Sequence, residues 1–432
     1  MNWIALKMLT GDRAKFFGIV LGLTFAALLI AQQGSIFCGL MRRTAGQIRD
    51  ITGADLWVMD ANVRFVDDVK PMIETNLYRV RGVEGVRWAV PLYKGIARAK
   101  INSTGDDGTR TQVIEQVVLL GLDDASMVGA PPPGRMLAGA LTALRTPDAV
   151  VVDFTRLRKL YPGEAWDEEP SGPSLAQRSL ESLGRILGRK GAPGSSAVDR
   201  ARRDKERFYG RFVGRELEMN DHRAVIVGVC EATRTFQSNA VVYTTYSRAK
   251  QYVPRERKVL SYVLAKTEPG TPPEVVAGRI RQQTGLRAIT GADFSWLTMM
   301  YYFQYTGIPV NFGITTLLGF LVGTAIAGQT FYNFTIENLK QFGALKAMGA
   351  TNLRIVGMIM LQALVVGLLG YGLGIGLAAV FGIWSDGTEL AFFTHWTILP
   401  ITAAAIVLIC LLSSILSVRR VFVLEPAVVF RG

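Results

Sequence analysis

The chain has 432 residues, 49% of them hydrophobic, and a formal net charge of +13 with three cysteines and two histidines. That length exceeds one typical domain, and so few cysteines and widely separated histidines (His222, His395) argue against a disulfide framework, a metal centre or a histidine triad. The positive charge comes without zinc-finger spacing, an aromatic sheet motif or one dense basic stripe, so it points away from nucleic acid and toward the flanks of membrane spans.

Residues 1–15 carry Trp3, Ile4, Leu6, Met8 and Leu9 beside Lys7, Arg13 and Lys15, which predicts a cytoplasmic interfacial helix with Trp3 at headgroup depth. The uncharged run Phe16–Phe37 predicts a first transmembrane helix over 16–41, since a bilayer core takes roughly 20 helical residues. Gly18 and Gly22 form a small-xxx-small pair suited to close helix packing.

Residues 42–306 are soluble in character. Strands are predicted at Asp55–Asp60, within Val80–Tyr93, and at Ile96–Ile101, Gln112–Gly121, Ala149–Val152, Ala224–Cys230, Ala240–Thr244 and Tyr262–Lys266. Helices are predicted at Val69–Leu77, Phe154–Leu160, Ser247–Gln251 and Pro273–Gly285, and this interleaving reads as an α+β domain. Within it, Trp166–Tyr209 is rich in charge, with Leu175, Leu180, Leu183 and Leu187 at helical spacing. Low hydrophobicity with many charges reads as a mobile insertion, 166–209, with a docking helix as the alternative.

Three more apolar runs predict transmembrane helices at 307–335, 354–384 and 396–418. A short periplasmic loop at 385–395 precedes the last of them, and a cytoplasmic tail at 419–432 follows it. Gly319–Gly323 and Gly370–Gly374 are further packing pairs. The series Gly370, Gly372, Gly374, Gly376 lies inside an apolar helix, not at a strand-to-helix turn, so it is not a phosphate loop. Between the second and third runs, 336–353 sets Leu339, Phe342, Leu345 and Met348 three residues apart among Glu337, Lys340, Gln341 and Lys346. This predicts a short amphipathic helix interrupted at Gly343 and closed by Gly349, a handle that a soluble partner grips to move two spans.

Lys340, Lys346 and Arg354 mark the handle, and Arg419 and Arg420 anchor the end of the last span, whereas Ser385–His395 holds no Lys or Arg. The positive-inside rule then places the handle and both termini in the cytoplasm and the large domain outside. The sequence contains no GxxxxGK[ST] loop and no acidic residue within a span. It is therefore read as a non-enzymatic subunit with no cofactor of its own, whose energy arrives through a partner. Asp67-Asp68 and Asp106-Asp107 are adjacent carboxylates of the kind usually solvated on turns, so no catalytic residue is assigned.

The stretch Glu337–Asn352 (ENLKQFGALKAMGATN) resembles the coupling segment of MacB/FtsX-type (type VII) ABC transporter permeases of the DevC-like subgroup. The ending Arg419–Ala427 is similar to that family's R-x-x-x-x-[LI]-x-P-A, and Gly134–Leu137, Ala149–Asp153, Val225–Val229 and Val242–Ala249 look like its periplasmic core domain. The resemblance implies an α-helical membrane protein of the bacterial inner membrane, with four transmembrane helices and a large α+β periplasmic domain between the first and second. It implies a homodimer of permeases with a separate cytoplasmic ABC ATPase dimer that carries ATP and Mg. It further implies mechanotransmission, in which motion of the spans drives extrusion of a periplasmic or outer-leaflet substrate through a membrane-fusion adaptor and an outer-membrane channel. The ATPase contact falls on Glu337, Lys340, Phe342, Gly343, Leu345, Lys346, Met348 and Gly349. The alternatives are an FtsX-like mechanical regulator of a periplasmic cell-wall hydrolase, or LolC/E-like extraction of lipoproteins or lipids.

Overall fold

The computed structural model describes residues 2–104, 110–131, 133–161, 164, 166, 170, 195–237, 239–254, 259–385, 388 and 390–422. The chain divides into two compact units, 1–42 with 303–432, and 43–302. The first opens with α1 (Asn2–Gly11) and α2 (Arg13–Thr44), which carries the chain across the boundary between the units.

The second unit holds α3 (Gly46–Asp50), β1 (Leu56–Met59), α4 (Thr75–Arg81), β2 (Val86–Thr104), β3 (Arg110–Leu122), β4 (Met136–Gly139), β5 (Ala149–Asp153) and α5 (Leu157–Leu160). After these come α6 (Ser195–Gly210), β6 (Glu216–Met219), β7 (His222–Cys230), β8 (Ala240–Thr245), α7 (Tyr246–Ala249), β9 (Tyr262–Thr267), α8 (Pro273–Thr284) and β10 (Arg287–Thr290). Helix α9 (Gly291–Tyr305) returns the chain to the first unit, completed by α10 (Ile308–Glu337), α11 (Leu339–Ala347), α12 (Asn352–Ser385) and α13 (Ile398–Phe422).

Among the described residues, one mixed sheet of ten strands organises the second unit, in the order β10-β1-β9-β2-β3-β8-β5-β7-β4, with β6 joining β2 to β7. The long strand β2 changes partner midway. Residues 86–92 pair antiparallel with β9, and Tyr93–Thr104 pair antiparallel with β3. Because β6 pairs with β2 at Ala99↔Met219 and with β7 at Leu217↔Ala224, the pairings β2-β3-β8-β5-β7-β6 close on themselves. Closure removes exposed edges from those strands. Residues 89–94 of β2 are buried on both faces, while Ile96–Ile101 alternate, with Ala97, Ala99 and Ile101 in the core and Ile96 outside. That alternation is the period of a strand with one solvated face.

Among the described residues, four helices, at Arg13–Thr44, Ile308–Glu337, Asn352–Ser385 and Ile398–Ile415, are long and apolar enough to cross a membrane. The fold is therefore four such helices with a mixed α+β domain inserted between the first and second. Helix α2 packs against α10 and α12 through glycines. A methyl group at Gly22 would overlap Ile326, at Gly323 it would meet Ala26, and at Gly319 it would lie 3.1 Å from Leu29 Cβ. On α12, Gly370 faces Leu23 and Gly374 faces Ala27 and the Thr24 carbonyl, while Gly372 and Gly376 face open space. Gly18 is only in ordinary van der Waals range, 3.9 Å from Thr330. In a bilayer, which supplies little hydrophobic drive between helices, such close approach gives the dispersion contact that holds a bundle.

Three local readings change. The helix expected at Val69–Leu77 starts at Thr75, because Met72 is held in an extended bridge to Leu260 and Pro71 precedes it. The segment 166–209 is rooted at both ends. Trp166, Phe208 and Tyr209 are buried, and the Trp166 ring stacks on Phe212 at 5.4 Å. Leu175, Leu180, Leu183 and Leu187 lie outside the described residues. Strands β4, β6 and β10, four residues each, are too short to show a periodicity in sequence.

Candidate coupling site

The handle is a nine-residue helix set off by two local devices. Asn338 caps the end of α10, its backbone N–H and its Nδ2 both donating to the Phe334 carbonyl, and its own carbonyl accepts from the Phe342 N–H at 3.0 Å, starting α11. At the far end Gly349 has φ +93, its N–H donates to the Lys346 carbonyl, and the Ala350 N–H donates to the Leu345 carbonyl. This six-to-one bond with a left-handed residue is a Schellman motif, and glycine takes that backbone without the strain a side chain would bring.

The break expected at Gly343 is absent. Gly343 is helical and buried, and the interruption falls at Asn338 instead. Phe342 is 0% exposed and packs with Ile355 and Ile359 of α12, with Met8 of α1 and with Leu345 and Ala350 beside them. These two residues seat the helix; they do not face outward. Leu345 and Lys346 are half-buried, while Glu337, Lys340, Gln341, Ala344 and Met348 form the exposed side, Met348 at 75%. Arg419 and Arg420 lie in the last turns of α13, and residues 423–432 are outside the described residues.

Helix α1 joins this site, which the sequence reading did not anticipate. Its Ala5 and Leu9 are buried, and the Gln362 Nε2 of α12 donates to the Ala5 carbonyl at 2.8 Å. The signal was Gln362 itself, a lone amide in the middle of an apolar span, which needs a partner away from water. Trp3 remains 66% exposed with the Lys7 ammonium 4.2 Å from its ring. Beyond the helix, Lys15 pairs with both Asp12 and Glu337. The hydrogen bond from Lys15 holds the Asp12 carboxyl below its ordinary value. Trp3, Lys7, Asp12, Glu337, Asn338 and Gln341 line an open cleft of about 540 Å³. The arrangement is a small polar-faced helix whose buried side packs on α12 and α1 and whose first turn joins α10 through Asn338.

The FtsX-like permease C-terminal family matches residues 285–426, which contain α10 to α13 and the handle. An uncharacterized ABC transporter permease of Mycobacterium tuberculosis (strain ATCC 25618 / H37Rv) is 30% identical over 126 residues, 29% of this chain and 35% of the relative. Another, from Mycobacterium bovis (strain ATCC BAA-935 / AF2122/97), is 30% identical over 119 residues, 28% of this chain and 33% of the relative. The match thus spans about a third of the length of these relatives. Among solved structures, the periplasmic region of MacB from Actinobacillus actinomycetemcomitans aligns with a TM-score of 0.35 at 10% identity, over 58% of this chain and 94% of that one. The extracellular domain of the noncanonic ABC-type transporter YknZ from Gram-positive bacteria aligns at 0.30 and 11% identity, over 55% and 99%.

Proposed function

We propose that this FtsX-like chain is the permease subunit of an ABC transporter of the MacB/FtsX type. It lies in the bacterial inner membrane with its large domain in the periplasm. The reading rests on one observation: α11, with an exposed polar side, is spliced between two helices long enough to span a bilayer, inside the region that matches the family. A separate cytoplasmic ATPase dimer, holding ATP and Mg, grips that exposed side, with Glu337, Lys340 and Met348 as its nearest contacts. Closure of the ATPase on ATP moves α11, and because Phe342 is locked against Ile355 and Ile359, α12 moves with it. The exposed apolar faces of α10 and α12, such as Leu317, Leu321, Leu368 and Leu373, suit lipid and a second permease copy. The output is movement of the periplasmic domain, which drives a substrate from the periplasm or outer leaflet toward an adaptor and an outer-membrane channel.

The test is affinity purification in mild detergent followed by reconstitution with the recovered ATPase. Recovery of an ABC ATPase whose hydrolysis rises with the permease supports the reading, and recovery of none sinks it. An adaptor and outer-membrane channel in the same eluate identify extrusion, whereas a cell-wall hydrolase identifies mechanical regulation.

A further inference from the structure

Helix α9 leaves the sheet domain only two residues before α10 begins, so it is the last piece of the domain before the permease region. Its first turns are held by the core, where Phe294 is buried and packs on Trp57 of β1 at 5.3 Å and on Tyr262 of β9 at 5.8 Å. Its final turn has a different fastening. The loop 60–70, between β1 and α4, reaches over it, and the Phe65 ring stacks on Tyr301 with centroids 4.1 Å apart and planes 14° from parallel. Tyr302 is buried between Phe65 and Phe236, at 5.5 and 4.7 Å, and its hydroxyl donates to Asp67 Oδ2 at 3.4 Å.

Asp67 in turn pairs with Lys94, at the point where β2 exchanges β9 for β3. The Lys94 side chain is 5% exposed, and its ammonium also donates to the Val66 carbonyl at 2.9 Å. That same carbonyl accepts from the Tyr262 hydroxyl at 2.8 Å, and the Val63 carbonyl accepts from Arg287 at 2.7 Å. The loop is therefore pinned from β2, β9 and β10 on one side and grips the end of α9 on the other. A buried ammonium is expensive in this setting. Burial pushes the Lys94 pKa down, opposed by the carboxylate of Asp67. Replacing both members of a buried charge pair by apolar residues of similar volume often costs no stability, and the best-attested use of such a pair is to fix one arrangement among several.

We infer that loop 60–70, pinned by Lys94 and Asp67, is a brace that makes the end of α9 and the sheet move as one body, and that it carries the motion of the spans into the domain. The inference rests on the permease reading and extends it to named positioning residues. Without the brace, the end of α9 bends and the sheet stays behind.

The test uses the full chain in nanodiscs with its ATPase, comparing the wild type with Lys94→Met and, as a second variant clear of the buried charge, Phe65→Ala. Amide exchange reads the brace alone. Faster exchange in loop 60–70, including the Asp68 N–H that donates to Phe65, with the sheet still protected, is expected in both variants. Unchanged exchange overturns the brace whatever the transporter does. A spin-label distance between the domains of two permease copies reads the motion. We expect its ATP-driven change to be lost in the variants while ATPase stimulation by the permease is retained. It should return when Phe65→Cys and Tyr301→Cys, added to Lys94→Met, are bridged by a short thiol cross-linker. An ATP-driven change that persists in a variant with a loosened loop overturns the transmitting role. No ATP-driven change in the wild type overturns the permease reading and the role with it, while the exchange result still stands for the brace.

Discussion

At the scale of single residues, the structure separates the side chains that hold the handle from those that face outward, although all sit within a dozen positions. Phe342 is enclosed by Ile355, Ile359 and Met8, so Phe342→Ala should destabilise the seat of α11 by about 3–5 kcal/mol, the usual cost of emptying a buried phenylalanine site. Limited proteolysis across 339–351 checks this, and protection equal to the wild type would show the seat to be elsewhere. Met348 is exposed and touches little, so Met348→Ser should leave proteolysis unchanged and reduce ATPase stimulation. A second residue-scale prediction concerns Asp153, 1% exposed, with the Ala232 N–H donating to it at 3.1 Å and Thr155 donating to its other oxygen. Burial raises its pKa to about 6. Its folded value lies above the unfolded one near 4, so the folded domain binds the extra proton between those values. Its contribution to stability is present at low pH and lost as pH rises from about 4 through about 6. Asp153→Asn keeps an acceptor for Ala232. It should flatten that pH dependence and stabilise the domain at pH 7 by up to about 3 kcal/mol. Denaturant midpoints at pH 4.5 and 7 measure it, and an unaltered pH slope would refute it.

Elements raise a different question, which is how a helix made almost wholly of apolar residues chooses its neighbours. In α12 the four alternate glycines divide by helical period. Gly370 and Gly374 lie four apart and meet α2, and Gly372 and Gly376, offset from them by two residues, face open space. Gly374→Val forces a side chain into Ala27 and the Thr24 carbonyl and should cost about 1–3 kcal/mol, the range for overpacking a close contact. Gly372→Ala meets nothing within 4 Å and should be neutral or stabilising by up to about 1 kcal/mol, since glycine is a poor helix former. Thermal unfolding of the two variants in detergent makes the comparison, and equal losses would mean that the glycines do not set the packing. Small-xxx-small spacing was legible in the sequence, but it occurs in both registers (370–374 and 372–376). Only the position of α2 tells them apart.

For the molecule as a whole, the permease reading requires that the handle and the sheet domain face opposite sides of the membrane. With Met348→Cys on the exposed side of α11 and Asp221→Cys in the exposed turn between β6 and β7, a membrane-impermeant thiol reagent added to intact cells should label position 221 and spare 348. In inverted vesicles the order should reverse. The native thiols give little background, since Cys230 and Cys410 are buried and Cys38 is partly so. Labelling of both positions from one side would end the account of an ATPase working on α11.

Sequence alone determined the features set by solvent and local geometry. Long uncharged runs have to be helices in a bilayer, because no water is there to take the backbone amides, and Gly349 suits the end of a helix because glycine takes the left-handed turn without strain. The Arg and Lys asymmetry of the loops predicts an orientation, which the labelling experiment tests. Tertiary structure decided what depends on partners far apart in the chain. The inward side of Phe342 follows from α12 and α1, and the closing of six strands follows from a two-residue contact between β2 and β6. The role of Lys94 follows from a loop 27 residues before it. None of these leaves a periodic trace, because a contact between distant segments constrains one residue at a time and not a repeating face.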